Sequence, residues 1–100
     1  MSKLDTNFII KSLSKAIVTR RLEIGLSQEE LARRAGISRG YCSDIERGLR
    51  NISVGLLFTM SDALDTTTPE LLKHAGLSDG FAELSSAGRQ LQEDGHDGHG

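Results

Sequence analysis

Apolar residues recur through the first quarter of the chain at Ile9/Ile10, Leu13, Ile17 and Ile24. Positions three and four apart share one face of an α-helix, so this spacing predicts a first helix over Phe8–Ile24. Gly25 follows as its stop. The first seven residues carry no clear signal. Ser27 followed by Glu30 is a capping box that opens a second helix, and Gly36 stands at its far end. Ser38 caps a third helix running to about Arg47, which Gly48 ends. "LRN" is a connecting turn. Ser53 caps a fourth helix, with Val54, Leu57, Met60 and Leu64 as its inner face. "LDTTTPELL" holds a second capping box, Thr67 with Glu70. Pro69 sits in the first turn there, where its missing N–H costs nothing. This short helix runs to Ala75, with Gly76 as its stop.

No segment alternates at period two for long enough to predict a strand. The fold class is therefore all-α, five helices with short connections over residues 8–76. Residues 77–100 form a tail of different character. Phe81, Leu84 and Leu91 could build a weak amphipathic helix interrupted by Gly88, and "EDGHDGHG" is expected to be disordered.

The stretch Ser27–Gly48 carries a more specific pattern, two short helices joined by a tight turn. Ala32 has to be small where the next helix crosses close to it. Gly36 has to take a positive φ, which costs glycine no steric penalty. Leu31, Ile37, Cys42 and Ile45 then pin both helices to one core.

Charge changes this picture only when it is divided along the chain. The 100 residues carry a net charge of −2. Residues 1–75 hold eleven Lys/Arg against nine Asp/Glu and are net +2, while residues 76–100 are net −4. A weakly basic body with an acidic tail is compatible with one face binding a polyanion. No apolar run approaches the length of a membrane span, and "MSKLDTNFII" is no secretory signal, so a cytoplasmic location is expected. The single cysteine, Cys42, fits that compartment and reads as a small core residue. His74, His96 and His99 do not make a metal site. No nucleophile–base arrangement, phosphate loop or pair of catalytic carboxylates can be placed, so neither enzymatic activity nor a cofactor is expected.

The residues from Leu13 to Ala75 resemble the Cro/repressor-type, or xenobiotic-response-element, helix-turn-helix proteins. The likeness rests on "GLSQEELARRAG", "SRGYCSDIERG", "RN" before a capped helix, "SDAL" and "PELL". It implies a compact lambda-repressor-like domain of five helices that binds DNA as a two-fold dimer. "YCSDIERGLRNIS" also resembles the small controller proteins of restriction–modification systems. Three places depart from the family pattern. Arg20 stands where the first helix often carries Leu, Cys42 where Ile or Val is usual, and Asp65–Thr66 where Gly and an aliphatic residue are common.

The resemblance makes the third helix a recognition helix, whose N-terminal half reaches base edges in the major groove. The candidate base-reading residues are Arg39 first, then Ser38, Tyr41, Ser43, Asp44 and Arg47. Arg39 has the fork that matches the two acceptors of guanine. Asp44 either accepts from a cytosine amino group or orients Arg47 three residues on. Backbone contacts are expected from Ser27 and Gln28, at a helix N-terminus suited to an anion, and from Arg50 and Asn51. Four residues are read as structural: Ala32, Gly36, and Arg21 with Glu46, for which the resemblance implies a largely buried ion pair. The function implied is a homodimeric, sequence-specific transcription regulator on a near-palindromic operator, with a controller of a restriction–modification system as one form. The dimer surface is expected on the fourth and fifth helices, near Leu56, Phe58 and Leu72. The alternative is an antitoxin that binds DNA through this domain and a protein partner through its tail.

Overall fold

Every helix begins where a small polar side chain accepts a backbone N–H. In the computed structural model, which describes residues 5–77, α1 spans Thr6–Glu23, α2 Gln28–Ala35, α3 Arg39–Glu46, α4 Val54–Ala63 and α5 Thr68–His74. Asp5, Ser27, Ser38, Ser53 and Thr67 each accept from the amide three residues on, at 2.8–3.3 Å. A cap of this kind contributes about 1 kcal/mol. The cap at Asp5 corrects the sequence reading, which found no signal before Phe8. An aspartate before an apolar-poor first turn is easily passed over, and α1 starts at Thr6 because Asp5 fixes it there. Ser27 and Glu30 form both bonds of a capping box, the Ser27 N–H returning to Glu30 Oε1 at 2.8 Å. Thr67 and Glu70 form only the forward bond.

The helix ends are equally regular. Leu26, Ile37, Leu49, Thr66 and Leu77 each donate an N–H to the carbonyl five residues back, at 2.9–3.0 Å. These are Schellman closures, which need the preceding residue at positive φ. After four helices that residue is glycine, but after α4 it is Asp65, at φ 56°. Aspartate is among the few residues that visit this region as single positions. Two arginines reinforce the site. Arg20 donates Nε to the Leu64 carbonyl at 2.9 Å and a terminal nitrogen to the Asp65 carbonyl at 2.8 Å. Arg34 donates to the Ala63 carbonyl at 3.0 Å and reaches the Asp65 carboxylate at 3.4 Å. Together they satisfy carbonyls that the end of α4 leaves open and place positive charge at the negative end of its dipole. The unusual Arg20 and the unusual Asp65 are thus one arrangement.

The helices surround a core in which Ile17, Leu31, Cys42, Ile45, Met60 and Leu64 are fully buried. α2 packs on α3 and α4, α1 on α3 and α5, and α4 on α5. Two positions differ from the sequence reading. Val54, assigned to the inner face of α4, is 70% exposed. Burial on α4 starts at Leu56 and is complete from Met60, so neighbouring helices cover its C-terminal half and leave its first residue outside. Leu77, assigned to the tail, is buried, because the closure of α5 folds it back onto the domain. The expected tail helix at Phe81, Leu84 and Leu91, the glycine-rich end, and His96 and His99 lie outside the described residues.

Buried polar groups tie the elements together. The Ser14 hydroxyl of α1 donates to the Ile45 carbonyl of α3 at 2.6 Å. Arg21 grips Glu46 with two nitrogens, at 2.7 and 3.1 Å, and donates a third bond to the Leu26 carbonyl at 2.9 Å. Gln28 donates its side-chain amide to the same carboxylate at 2.9 Å. The Glu46 side chain is only 4% exposed and that of Arg21 13%, so water screens this pair poorly. Removing Arg21 leaves a carboxylate in a nearly dry site. Arg21→Met is expected to lower stability by about 3–5 kcal/mol. Arg21→Met/Glu46→Leu should lose less than the two single changes together, because it leaves no orphaned charge. Urea titration of the four proteins checks this, and single changes that cost under about 1 kcal/mol, the range of an exposed pair, would remove the pair from its central role.

Candidate nucleic-acid interface

The α2–α3 unit is built from its turn outward. Gly36, at φ 72°, reverses the chain after α2 and lets the Ile37 N–H reach the Ala32 carbonyl at 3.0 Å. A β-carbon there would be strained by the backbone angle alone. Leu31 and Ala32 are buried under the crossing, and Ile37 packs partly buried against the same core. Cys42 and Ile45 anchor the inner side of α3 with no exposed surface. The opposite side of α3 is thereby forced outward.

On that outer side Ser38, Arg39, Gly40 and Arg47 are exposed, while Tyr41, Ser43 and Asp44 are half-buried. Arg39 occupies the first turn and forms no ion pair among the described residues. The Ser38 oxygen accepts the Tyr41 N–H at 3.0 Å, which leaves its own proton free to donate outward. Asp44 is the hub of a short chain of contacts. It accepts from Arg47 at 2.9 Å and from Arg50 at 3.2 and 3.3 Å. Arg50 in turn lies over the Tyr41 ring, 5.2 Å from its centroid, within cation–π range. Arg47 first, then Arg50, holds the Asp44 carboxyl below its ordinary range. Asp44 is therefore ionised at neutral pH, and its charge is offset by two arginines. What this strip presents outward is a net cationic surface in which Asp44 orients the Arg47 and Arg50 guanidinium groups.

The flanking candidates fall into two sets. Gln28 opens α2 beside the first two N–H groups of that helix, which have no intrahelical acceptor. Its amide is already fixed on Glu46 of α3, so the N-terminus of α2 is held in register with the strip. Ser27 is exposed, with its oxygen engaged in the capping box. Arg50 joins the strip directly, whereas Asn51 is exposed in the α3–α4 connection without a side-chain partner among the described residues.

Sequence reasoning missed the paired arginines at the end of α4, because a guanidinium reaching carbonyls 29 to 45 residues away leaves no local pattern. It also passed over Lys11 and Lys15 of α1, which line a shallow groove together with Arg47 and Gly48. Their spacing of four residues, one helical turn, was the available signal. Among the described residues no group of His, Cys, Asp and Glu could hold a metal ion, and no helix is long and apolar enough to cross a membrane.

Residues 17–72 match the helix-turn-helix family profile. The chain belongs to the helix-turn-helix family. Its relatives include control protein C.SmaI of Serratia marcescens, 42% identical over 52 residues, which are 52% of this chain and 62% of that protein. The regulator SinR of Bacillus subtilis (strain 168) is 38% identical over 85 residues, 82% of this chain and 75% of SinR. Among solved structures, the restriction-modification controller protein C.AhdI of Aeromonas hydrophila superposes with a TM-score of 0.60 at 35% identity, covering 62% of this chain and 94% of C.AhdI. The five-helix, strandless architecture of the described residues is the all-α fold shared with C.AhdI.

Cys42 lies inside this unit, buried beside Ile45 on the inner side of α3. Burial first, then Glu46, pushes its thiol above the ordinary range. The folded chain thus keeps the proton longer than the unfolded one, so stability drawn from this group is full below the unfolded value and lost as pH rises through the folded one. Ellman's reagent at pH 8 should label Cys42 slowly in native protein and at once in guanidinium chloride. Cys42→Val should flatten the alkaline fall in melting temperature. Rapid native labelling would show that α3 opens readily and would contradict the packing described.

Proposed function

We propose that this chain is a sequence-specific transcription regulator that acts in the cytoplasm as a homodimer on a near-palindromic operator. The observation that carries the proposal is the outward strip of α3, with Arg39 exposed at its first turn and anchored from behind by Cys42 and Ile45. Arg39 reads a guanine edge through its two parallel donors. Ser38 and Tyr41 lie at the same end, Ser43 and Asp44 follow in the next turn and Arg47 at the end of the helix, and together they complete the base contacts. Ser27, Gln28, Arg50 and Asn51 hold phosphates and set the register, a role that carries no sequence information itself. We assign the chain no catalytic step and no cofactor.

The dimer forms through the exposed side of α4. Phe58 is 58% exposed and Val54 70%, and Leu56 and Leu72 are only partly covered. Val54 and Phe58, four residues apart on α4, share one face, and an exposed apolar face of this kind marks an association surface. A two-fold pair would present its α3 helices to successive major grooves about 34–36 Å apart. The likeness to control protein C.SmaI and to the controller C.AhdI supports control of a restriction–modification system as the biological setting.

Selection from a random DNA pool gives the operator, and fluorescence anisotropy at fixed salt then tests the roles. Arg39→Ala should cost about 1–3 kcal/mol of discrimination between operator and random DNA. Gln28→Ala should weaken both to the same degree, with a thermal melt to show that the Glu46 network still folds. Affinity should fall steeply with salt as counterions are released. Both variants retaining wild-type affinity and selectivity would overturn the docking. Phe58→Glu should shift the chain from dimer to monomer in sedimentation at micromolar concentration, and an unchanged dimer would move the interface elsewhere.

A further inference from the structure

The outward strip of α3 carries an acid from which the fold gains little. Glu46, two residues on, is the buried carboxylate that ties α3 to α1 and α2 through Arg21 and Gln28. Asp44 has a different setting. Its side chain is 25% exposed, and those of its partners Arg47 and Arg50 are 64% and 52% exposed. Both partners lie at the end of α3 or just beyond it, so their bonds to Asp44 join no helix to another. Water screens such pairs, and they contribute little to stability. On a surface that meets a polyanion, an acid also lowers the attraction for every duplex alike. In the free chain both Asp44 oxygens are occupied. Oδ1 accepts from Arg47 at 2.9 Å, and Oδ2 accepts from Nε and a terminal nitrogen of Arg50 at 3.3 and 3.2 Å. Arg50 is held a second time over the Tyr41 ring, 5.2 Å from its centroid.

A phosphate or base that draws either arginine away strips donors from an ionised carboxylate and leaves it beside DNA. That loss is made good only where the groove supplies a donor in their place. Guanine offers N7 and O6 and thymine offers O4, all acceptors, which repel a carboxylate. Adenine sets its amino group beside the N7 acceptor. Cytosine offers an amino donor with no acceptor next to it on the same edge. We propose that Asp44 is a specificity-determining residue that holds Arg47 and Arg50 back from unmatched DNA and exchanges them for the amino group of a cytosine in the operator. On random sequence the arginines either stay with Asp44 or leave it uncompensated, and binding is weak in both cases. On the operator the cytosine amino group replaces their N–H donors, and both arginines, already ordered, pass to the DNA. This role rests on the DNA-binding reading above and adds a base preference to it.

Selection from a random DNA pool with the full wild-type chain should return a cytosine at one step of each half-site. Selection with Asp44→Ala should return no preference at that step. Anisotropy at about 0.1 M salt then separates exchange from bare repulsion. Asp44→Ala should bind random duplex about five- to tenfold more tightly, the gain expected from one more released counterion, and the operator no more than about twofold more tightly. Asp44→Asn, which keeps the shape and loses the charge, should raise random-sequence binding to the same degree, and thermal melts should show both variants folded. Replacing the cytosine pair by deoxyuridine·deoxyadenosine puts an acceptor in the amino position. It should cost the wild type about tenfold or more, and Asp44→Ala less than about twofold. Equal gains on operator and random duplex would mean that Asp44 only repels DNA, and would overturn the exchange. So would a wild-type operator without the cytosine, or the same loss on deoxyuridine in both proteins. A wild type that binds no duplex disposes of the DNA-binding reading and of this role with it. An operator whose binding ignores Asp44 leaves that reading standing and removes the exchange alone.

Discussion

The Glu46 carboxylate is the point on which this small fold turns. It belongs to the last turn of α3, yet its bonds come from Arg21 of α1 and Gln28 of α2. A charge in so dry a place is costly unless it is paired and hydrogen-bonded, and here three N–H groups meet it. That requirement fixes the orientation of three helices at once. An apolar contact of equal size would hold them together without fixing their rotation, because dispersion and hydrophobic burial have no direction. The value of the ion pair lies in register: it sets which face of α3 is turned to the core and which is left outside.

The outer face inherits its order from that constraint. Cys42 and Ile45 hold α3 from within, and the Gln28 amide ties the start of α2 to the same carboxylate. On the surface, Asp44 repeats the device in a wetter setting, gathering Arg47 and Arg50 on one acceptor. Exposed pairs of this kind add little stability. Their effect is to reduce the freedom of two long side chains before any ligand arrives, which lessens the ordering cost of binding. Arg39 forms no such pair among the described residues, so its side chain keeps its freedom.

The ends of the helices show how the described residues hold five elements on a modest core. Each helix is capped at its start by Asp, Ser or Thr and closed at its end by a Schellman turn. Short helices need this, since seven or eight residues do not repay the cost of nucleation by propagation alone. At the end of α4, where glycine is replaced by Asp65, Arg20 and Arg34 supply the hydrogen bonds and charge that stabilise the turn. The local exception is offset by contacts from two other helices.

Most of the element boundaries were legible in the sequence, because caps, stop glycines and helical periodicity are encoded within four or five residues. Ser27, Ser38, Ser53 and Gly36 announce themselves without any partner from elsewhere, and the helix-turn-helix resemblance follows from that local grammar. Other features were decided only by packing. Val54 has the spacing of an inner residue yet lies outside, since no described residue covers the start of α4; Leu77 reads as tail yet is buried, since the α5 closure folds it inward. The carbonyl partners of Arg20 and Arg34 and the bond from Gln28 to Glu46 join residues 18 to 45 apart. The groove shared by Lys11, Lys15 and Arg47 likewise exists only once α1 lies beside α3. Short-range hydrogen bonds and side-chain period can be read along a chain, whereas desolvation and the meeting of distant charges arise only when the chain has closed on itself.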